Sequence, residues 1–150
     1  SNAGNALAGK YIGEKNNEKL KKLGNTLLKI NIKIAIILMC FYTILYQLIG
    51  GIFNSNENVI GVFENVFWIV ILAQPFNSIA FTFDGIFKGI GKAVDLRNTL
   101  IIGTFLFFIP TIYLLDLIIP QLISVWIALS AWMLFRGISL LVKFRKIVNS

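Results

Sequence analysis

The sequence has no histidine, one cysteine and three prolines in 150 residues, and only 14% of it is charged. Without histidine, neither a Cys/His zinc site nor histidine-ligated haem can be assembled. The single cysteine, Cys40, lies inside an apolar run and cannot found a disulfide framework. No nucleophile–base pair and no metal-ligating cluster stands out, so an enzyme is not expected, and neither is a cofactor or a metal. Alternation of period two is also missing, which argues against a membrane β-barrel. The shortage of charge matters most, because a soluble domain carries about 25% charged residues and a chain this short leaves much of its surface in water.

What fills the sequence instead is apolar. Hydrophobic residues make up 57% of the chain, phenylalanine contributes 13 residues, and the mean hydropathy is +0.78. Four runs carry no charge at all: Ile34–Phe53, Asn65–Phe83, Asn98–Leu115 and Leu117–Phe135, of 20, 19, 18 and 19 residues. The last resumes after Arg136 as far as Val142. Some 20 apolar residues carry a helix across ~30 Å of hydrocarbon, so the expected fold is all-α, with four transmembrane helices.

The net charge of +7 is placed at the ends of these runs and not spread over a polar face, which excludes nucleic acid as the expected partner and makes membrane lipid the first one. Seven lysines precede the first span, from Lys10 to Lys33. The loop Asn54–Glu64 has two glutamates and no cation, whereas the second loop has Lys88, Lys92 and Arg97. The turn around Asp116 has no cation, and the tail carries Lys143, Arg145 and Lys146. The positive-inside rule therefore predicts cytoplasmic N- and C-termini in a plasma (inner) membrane protein, with loops 54–64 and 116–120 outside.

Three segments are expected. Residues 1–3, Ser-Asn-Ala, read as the remnant of a removed affinity tag. Residues 4–33 read as a cytoplasmic loop and lead-in, closing a preceding membrane helix and then forming an amphipathic helix over Glu14–Leu28. That helix either lies on an anionic inner leaflet or is a solvated linker. Residues 34–148 form the four-helix transmembrane portion. With no methionine before Gly4, the sequence reads as a piece of something longer.

The second span breaks the apolar rule. Gln74, Asn77, Ser78 and Phe81 recur at helical spacing, continued by Asp84 and Lys88, with Thr82 alongside. Facing lipid, such groups are costly, so the stripe should face other helices or water. Two readings stay open: hydrogen bonds across a helix interface, or the lining of a transport pathway. Asp84 lies about 30 Å along the helix from Glu64, near the cytoplasmic boundary. That depth favours a structural or gating ion pair over a midplane proton carrier. Lys88 is one available partner, and Arg136 either pairs with Asp84 or snorkels to the headgroups.

Pro75 and Pro110 are expected hinges, since each removes a backbone donor within a span. Pro120, in a first helical turn, costs little. Trp68, Tyr113 and Trp126 fall toward the outer half, as interfacial aromatics do. Gly103 should admit a close neighbour, and Ser124, Ala128 and Ala131 offer a small-residue packing face.

The stretch from Gln74 to Asn98 resembles the multidrug and toxic compound extrusion (MATE) family, in particular its DinF-like branch. Asp84-Gly85-Ile86, Gly89 and Leu96-Arg97-Asn98 carry the likeness. Ala8-Gly9-Lys10-Tyr11-Ile12-Gly13-Glu14-Lys15-Asn16 is similar to the loop before the third helix of each lobe, and Trp126 through Arg136-Gly137 resembles the last helix. The resemblance covers residues 4–148.

It implies the last four helices of a twelve-helix, two-lobe secondary antiporter. Such a transporter exports cationic lipophilic molecules in exchange for protons or sodium. The missing helices would be partners, and the four-helix portion alone would be inactive. Together with the polar stripe, it leaves Gln74, Asn77, Ser78 and Asp84 as pathway candidates, and Asp84, Lys88, Arg97 and Arg136 as gating or structural charges. The alternatives are a lipid-linked polysaccharide flippase of the same superfamily and a non-transporting helical membrane subunit.

Overall fold

Backbone polar groups in a charge-free run must be satisfied within the run itself when no water is at hand, and a helix does so locally. The computed structural model describes residues 1–52, 57–119 and 121–150, and among these every regular element is helical. In chain order they are α1 (Asn2–Gly13), α2 (Asn17–Ile52), α3 (Glu57–Gly89), α4 (Ala93–Gly103), α5 (Ile109–Asp116) and α6 (Gln121–Asn149). Four stretches among the described residues are long and apolar enough to cross a membrane: Asn17–Tyr46, Glu64–Gly89, Ala93–Asp116 and Gln121–Asn149. They contain the bulk of the four charge-free runs.

The lead-in helix expected over Glu14–Leu28 is not a separate element. The chain turns at Gly13–Asn16, where Lys15 takes a left-handed backbone (φ 52°), and α2 then runs unbroken for 36 residues. Gly24 is the weakest helix former in its first eight turns, and packing holds it. A Cβ there would sit 2.5 Å from the Phe144 ring of α6, so that ring occupies the space a side chain would need. From Glu57 onward the expected outer loop is already α3. Phe53, the last residue of the first charge-free run, Asn54–Asn56 and Pro120 lie outside the described residues.

The two expected hinges behave differently. Helix α3 is assigned continuously through Pro75. Before Pro110 the helix widens: Thr104–Phe108 winds as a π-helix, and the Ile109 N–H donates five residues back to the Thr104 carbonyl. A proline ring clashes with the carbonyl four residues earlier, and the wider turn relieves that clash.

The core lies at the end of the bundle that carries the cations. Ala8, Leu20, Phe83, Ile86, Phe87, Leu96, Leu140, Phe144 and Val148 form one buried cluster drawn from α1, α2, α3, α4 and α6. Helix α1 reaches it by close contact with α3, where a Cβ on Gly89 would collide with the Asn5 backbone. Toward the opposite end the spans expose their apolar side chains, with Ile44 at 64%, Phe105 at 65% and Tyr113 at 74%. Such surface is at home in lipid or against further helices.

Candidate functional site

Helix α3 carries the polar residues of the spans and distributes them between two neighbours. Gln74, Asn77, Ser78 and Phe81 line an open groove of about 470 Å³ against α2, whose wall is Asn31, Ile34, Ala35 and Leu38. The first three are half-buried where they border the groove.

A run of hydrogen bonds secures the groove's lower edge. The Asn31 amide donates to Thr82 Oγ1 at 2.6 Å, the Thr82 hydroxyl donates to the Ser78 carbonyl at 2.6 Å, and Ser78 Oγ donates to the Pro75 carbonyl at 2.8 Å. Asn31 gives no signal in the sequence, because it sits among the lysines of the lead-in. Nothing in its spacing tells that it faces Thr82, 51 residues away.

Asp84 does not line this groove. Seven helical steps place it about 20° around α3 from Asn77 and two turns further along, at the edge of the stripe nearer α6. It faces α6 and pairs there with the guanidinium of Arg136. Both side chains are nearly enclosed, at 8% and 11% exposure. Two features of α6 make the meeting possible. Gly137 lets α6 lie close to α3, since a Cβ there would be 3.3 Å from Ile79 Cγ2 and 3.5 Å from the Ala80 nitrogen. One turn earlier Trp132 backs the guanidinium, with Arg136 Cζ 5.8 Å from the ring centroid. Trp132 in turn covers Gly103, the glycine expected to admit a close neighbour.

The pair is one-pronged. Arg136 Nη2 donates to Asp84 Oδ2, while Asp84 Oδ1, Arg136 Nε and Trp132 Nε1 are buried without a hydrogen-bond partner. A two-pronged arginine–carboxylate contact would use more of this capacity and fix the geometry more firmly.

The remaining candidates stand apart. Lys88, one turn beyond Asp84, is exposed near the end of α3, and Arg97 is exposed on α4. Neither forms an ion pair among the described residues. The second charge contact between spans is instead Lys143 of α6, 3.3 Å from both Asp95 Oδ1 and Thr99 Oγ1 of α4. The sequence shows Asp95 and Thr99 one turn apart, a geometry that presents both to one partner, but not which cation arrives.

Comparison with known proteins agrees with this membrane architecture. The family profile described as MatE matches residues 1–114, which takes in α1 through most of α5 and includes Asp84; Arg136 lies beyond it. The chain is 31% identical over 98 residues to the probable multidrug resistance protein YoeA of Bacillus subtilis (strain 168). That alignment takes in 65% of this chain and 21% of YoeA, so the matched part is about a fifth of the relative's length. No solved structure gives a significant match. With a family match over most of its length and four candidate spans, the chain belongs to the MatE family of membrane transporters, which are not enzymes.

Proposed function

We propose that this chain works as part of a multidrug exporter of the DinF-like branch, contributing the last four helices of its C-terminal lobe. Cationic lipophilic molecules would be exchanged for protons or sodium by alternating access, with both termini of the chain in the cytoplasm. Family membership supports the transport reading, and the likeness around Asp84-Gly85-Ile86 supports the branch. In this reading Gln74, Asn77 and Ser78 belong to the substrate or ion pathway. Their groove against α2 supports that, being polar, half-buried and wide enough for part of a small molecule.

The observation that carries a mechanism is the buried, one-pronged Asp84–Arg136 pair between α3 and α6. Alternating access requires an interface with two arrangements of similar free energy. A charge pair that leaves acceptor and donor capacity unused holds its helices in register without saturating them, which suits a latch. Lys88 and Arg97 are exposed cations on α3 and α4 near the same end. They suit an exchange of partners when the latch opens.

The test is efflux of a fluorescent cationic drug by the full-length transporter. Asp84→Arg and Arg136→Asp should each impair efflux strongly, because each buries two like charges together. The combined exchange should restore a substantial part. If Asp84 carries the coupling proton instead, no exchange rescues transport, and Asp84→Asn still binds drug while losing pH-driven movement. Vesicles containing this chain alone should show no efflux.

A further inference from the structure

At the end of the bundle where cations concentrate, α2 and α6 border two adjoining hollows of about 650 and 300 Å³ that share Lys21, Asn25 and Val148. Lys22 and Lys29 line the larger hollow, and Arg145 lines the smaller. Lys21 Nζ donates to Asn149 Oδ1 at 3.3 Å, joining the two helices across the cleft. Glu18 is the one carboxylate in either lining.

The neighbouring lysines are already engaged. Lys19 pairs with Glu14 at 3.6 Å, and Lys143 pairs with Asp95 at 3.3 Å. Lys21, Lys22, Lys29 and Arg145, by contrast, form no ion pair among the described residues. Four exposed cations around one carboxylate leave a net positive field in the cleft, which attracts an anion from outside.

The floor of the smaller hollow identifies the class of anion. It is made of Phe83, Leu141, Phe144 and Val148, so the cleft has a cationic rim over an apolar base. Free phosphate gains nothing from an apolar base, whereas a phospholipid presents a phosphodiester joined to glycerol and acyl chains. The mouth of the cleft fits in position as well. Lys29 lies five residues before Ile34, roughly 7.5 Å along α2, and Arg145 three residues after Val142, roughly 4.5 Å along α6, so both stand at headgroup depth, with Lys21 and Lys22 on the cytoplasmic side.

We propose that this cleft between α2 and α6 binds the headgroup of an anionic phospholipid of the inner leaflet. The phosphodiester sits among Lys21, Lys22, Lys29 and Arg145, and the glycerol end lies over Phe144 and Leu141. The site rests on the cytoplasmic orientation of both chain termini. Its readout is lipid retention and not efflux, so its failure leaves the transport reading untouched.

The experiment uses the purified chain in detergent, supplied with dioleoylphosphatidylglycerol or dioleoylphosphatidylcholine. Retained lipid is counted by native mass spectrometry, and the thermal midpoint is followed beside it. Phosphatidylglycerol should be retained preferentially and should raise the midpoint. Each of Lys21→Gln, Lys22→Gln and Lys29→Gln should weaken its retention about five-fold, the fold-change for roughly 1 kcal/mol per basic residue. The three changes together should abolish the preference. The triple change Lys10→Gln/Lys15→Gln/Lys92→Gln removes the same charge from the same end and should leave the preference in place. Equal loss in both triple variants would overturn the site in favour of diffuse charge attraction. Full competition by millimolar inorganic phosphate would overturn it in favour of a free-anion site. Equal retention of the two lipids by the unaltered chain would overturn it without recourse to any variant.

Discussion

The two sides of α3 meet their neighbours in opposite ways. Toward α6 the helix presents a carboxylate, and the contact closes around it: Asp84 and Arg136 are nearly enclosed, Trp132 backs the guanidinium, and Gly137 brings the backbones together. Toward α2 the same helix presents amides and hydroxyls, and the contact stays open as a groove with Asn31–Thr82 at its lower edge. Helices in lipid gain little from burying apolar surface against each other, so packing and polar contacts decide how they associate. An enclosed charge left unpaired is costly, whereas a half-open amide can exchange partners at small cost. One side is therefore suited to hold, and the other to let something pass.

The largest expected effect strikes the closed side. Arg136→Ala leaves Asp84 enclosed and unpaired and should cost about 3–5 kcal/mol in detergent unfolding, whereas Asp84→Ala/Arg136→Ala together should cost less than Arg136→Ala alone. A double variant as damaged as the sum of the singles would show that the two charges do not act as a pair.

An intermediate effect separates the packed end from the exposed spans. Leu140 is fully buried in the core cluster, and Leu140→Ala should cost about 2–5 kcal/mol. Leu106, 65% exposed on the π-wound segment, should tolerate Leu106→Ala with a change under about 0.5 kcal/mol. Similar losses at the two leucines would mean that the exposed spans pack against one another in detergent.

The smallest effect belongs to the open side. Asn31→Ala removes the hydrogen bond to Thr82 and should cost about 0.6 kcal/mol, the average for a polar contact between membrane helices. Gln74→Leu should leave unfolding unchanged while weakening drug binding in the full-length transporter. A Gln74→Leu protein that binds drug normally would remove the groove from the pathway.

Much of this architecture is legible in the residues alone. Charge-free runs of about 20 residues without period-two alternation fit helices in lipid, so length and composition are enough to mark Ile34–Phe53 and its three counterparts as candidate spans. Pro110 signals an irregularity, and Gly103 a close neighbour, because each residue restricts or frees its own backbone and surroundings whatever the fold. The stripe on α3 is legible only in part. Periodicity places Gln74, Asn77, Ser78, Phe81 and Asp84 along one broad face, but it does not say that α2 borders the first four while α6 meets Asp84. The lead-in over Glu14–Leu28 is helical from Asn17 onward but continuous with the first span, and the sequence does not show that the Phe144 ring packs beside Gly24 along it.

By itself the sequence determined the class of protein, the number of spans and the kind of residue each span could not expose to lipid, since those follow from the transfer free energy of each side chain and the length of each run. Only the tertiary structure decided which charges meet. Asp84 had Lys88 within one turn and Arg136 at 52 residues' distance, and it is Arg136 that it pairs with. Asp95 found Lys143, and the unpaired lysines of α2 came to share a cleft with Arg145. Ion pairs between helices depend on crossing distance and rotation, which are set by where glycine lets two backbones approach and where an aromatic ring keeps them apart. Those quantities are properties of two surfaces in contact, and no single stretch of sequence contains them.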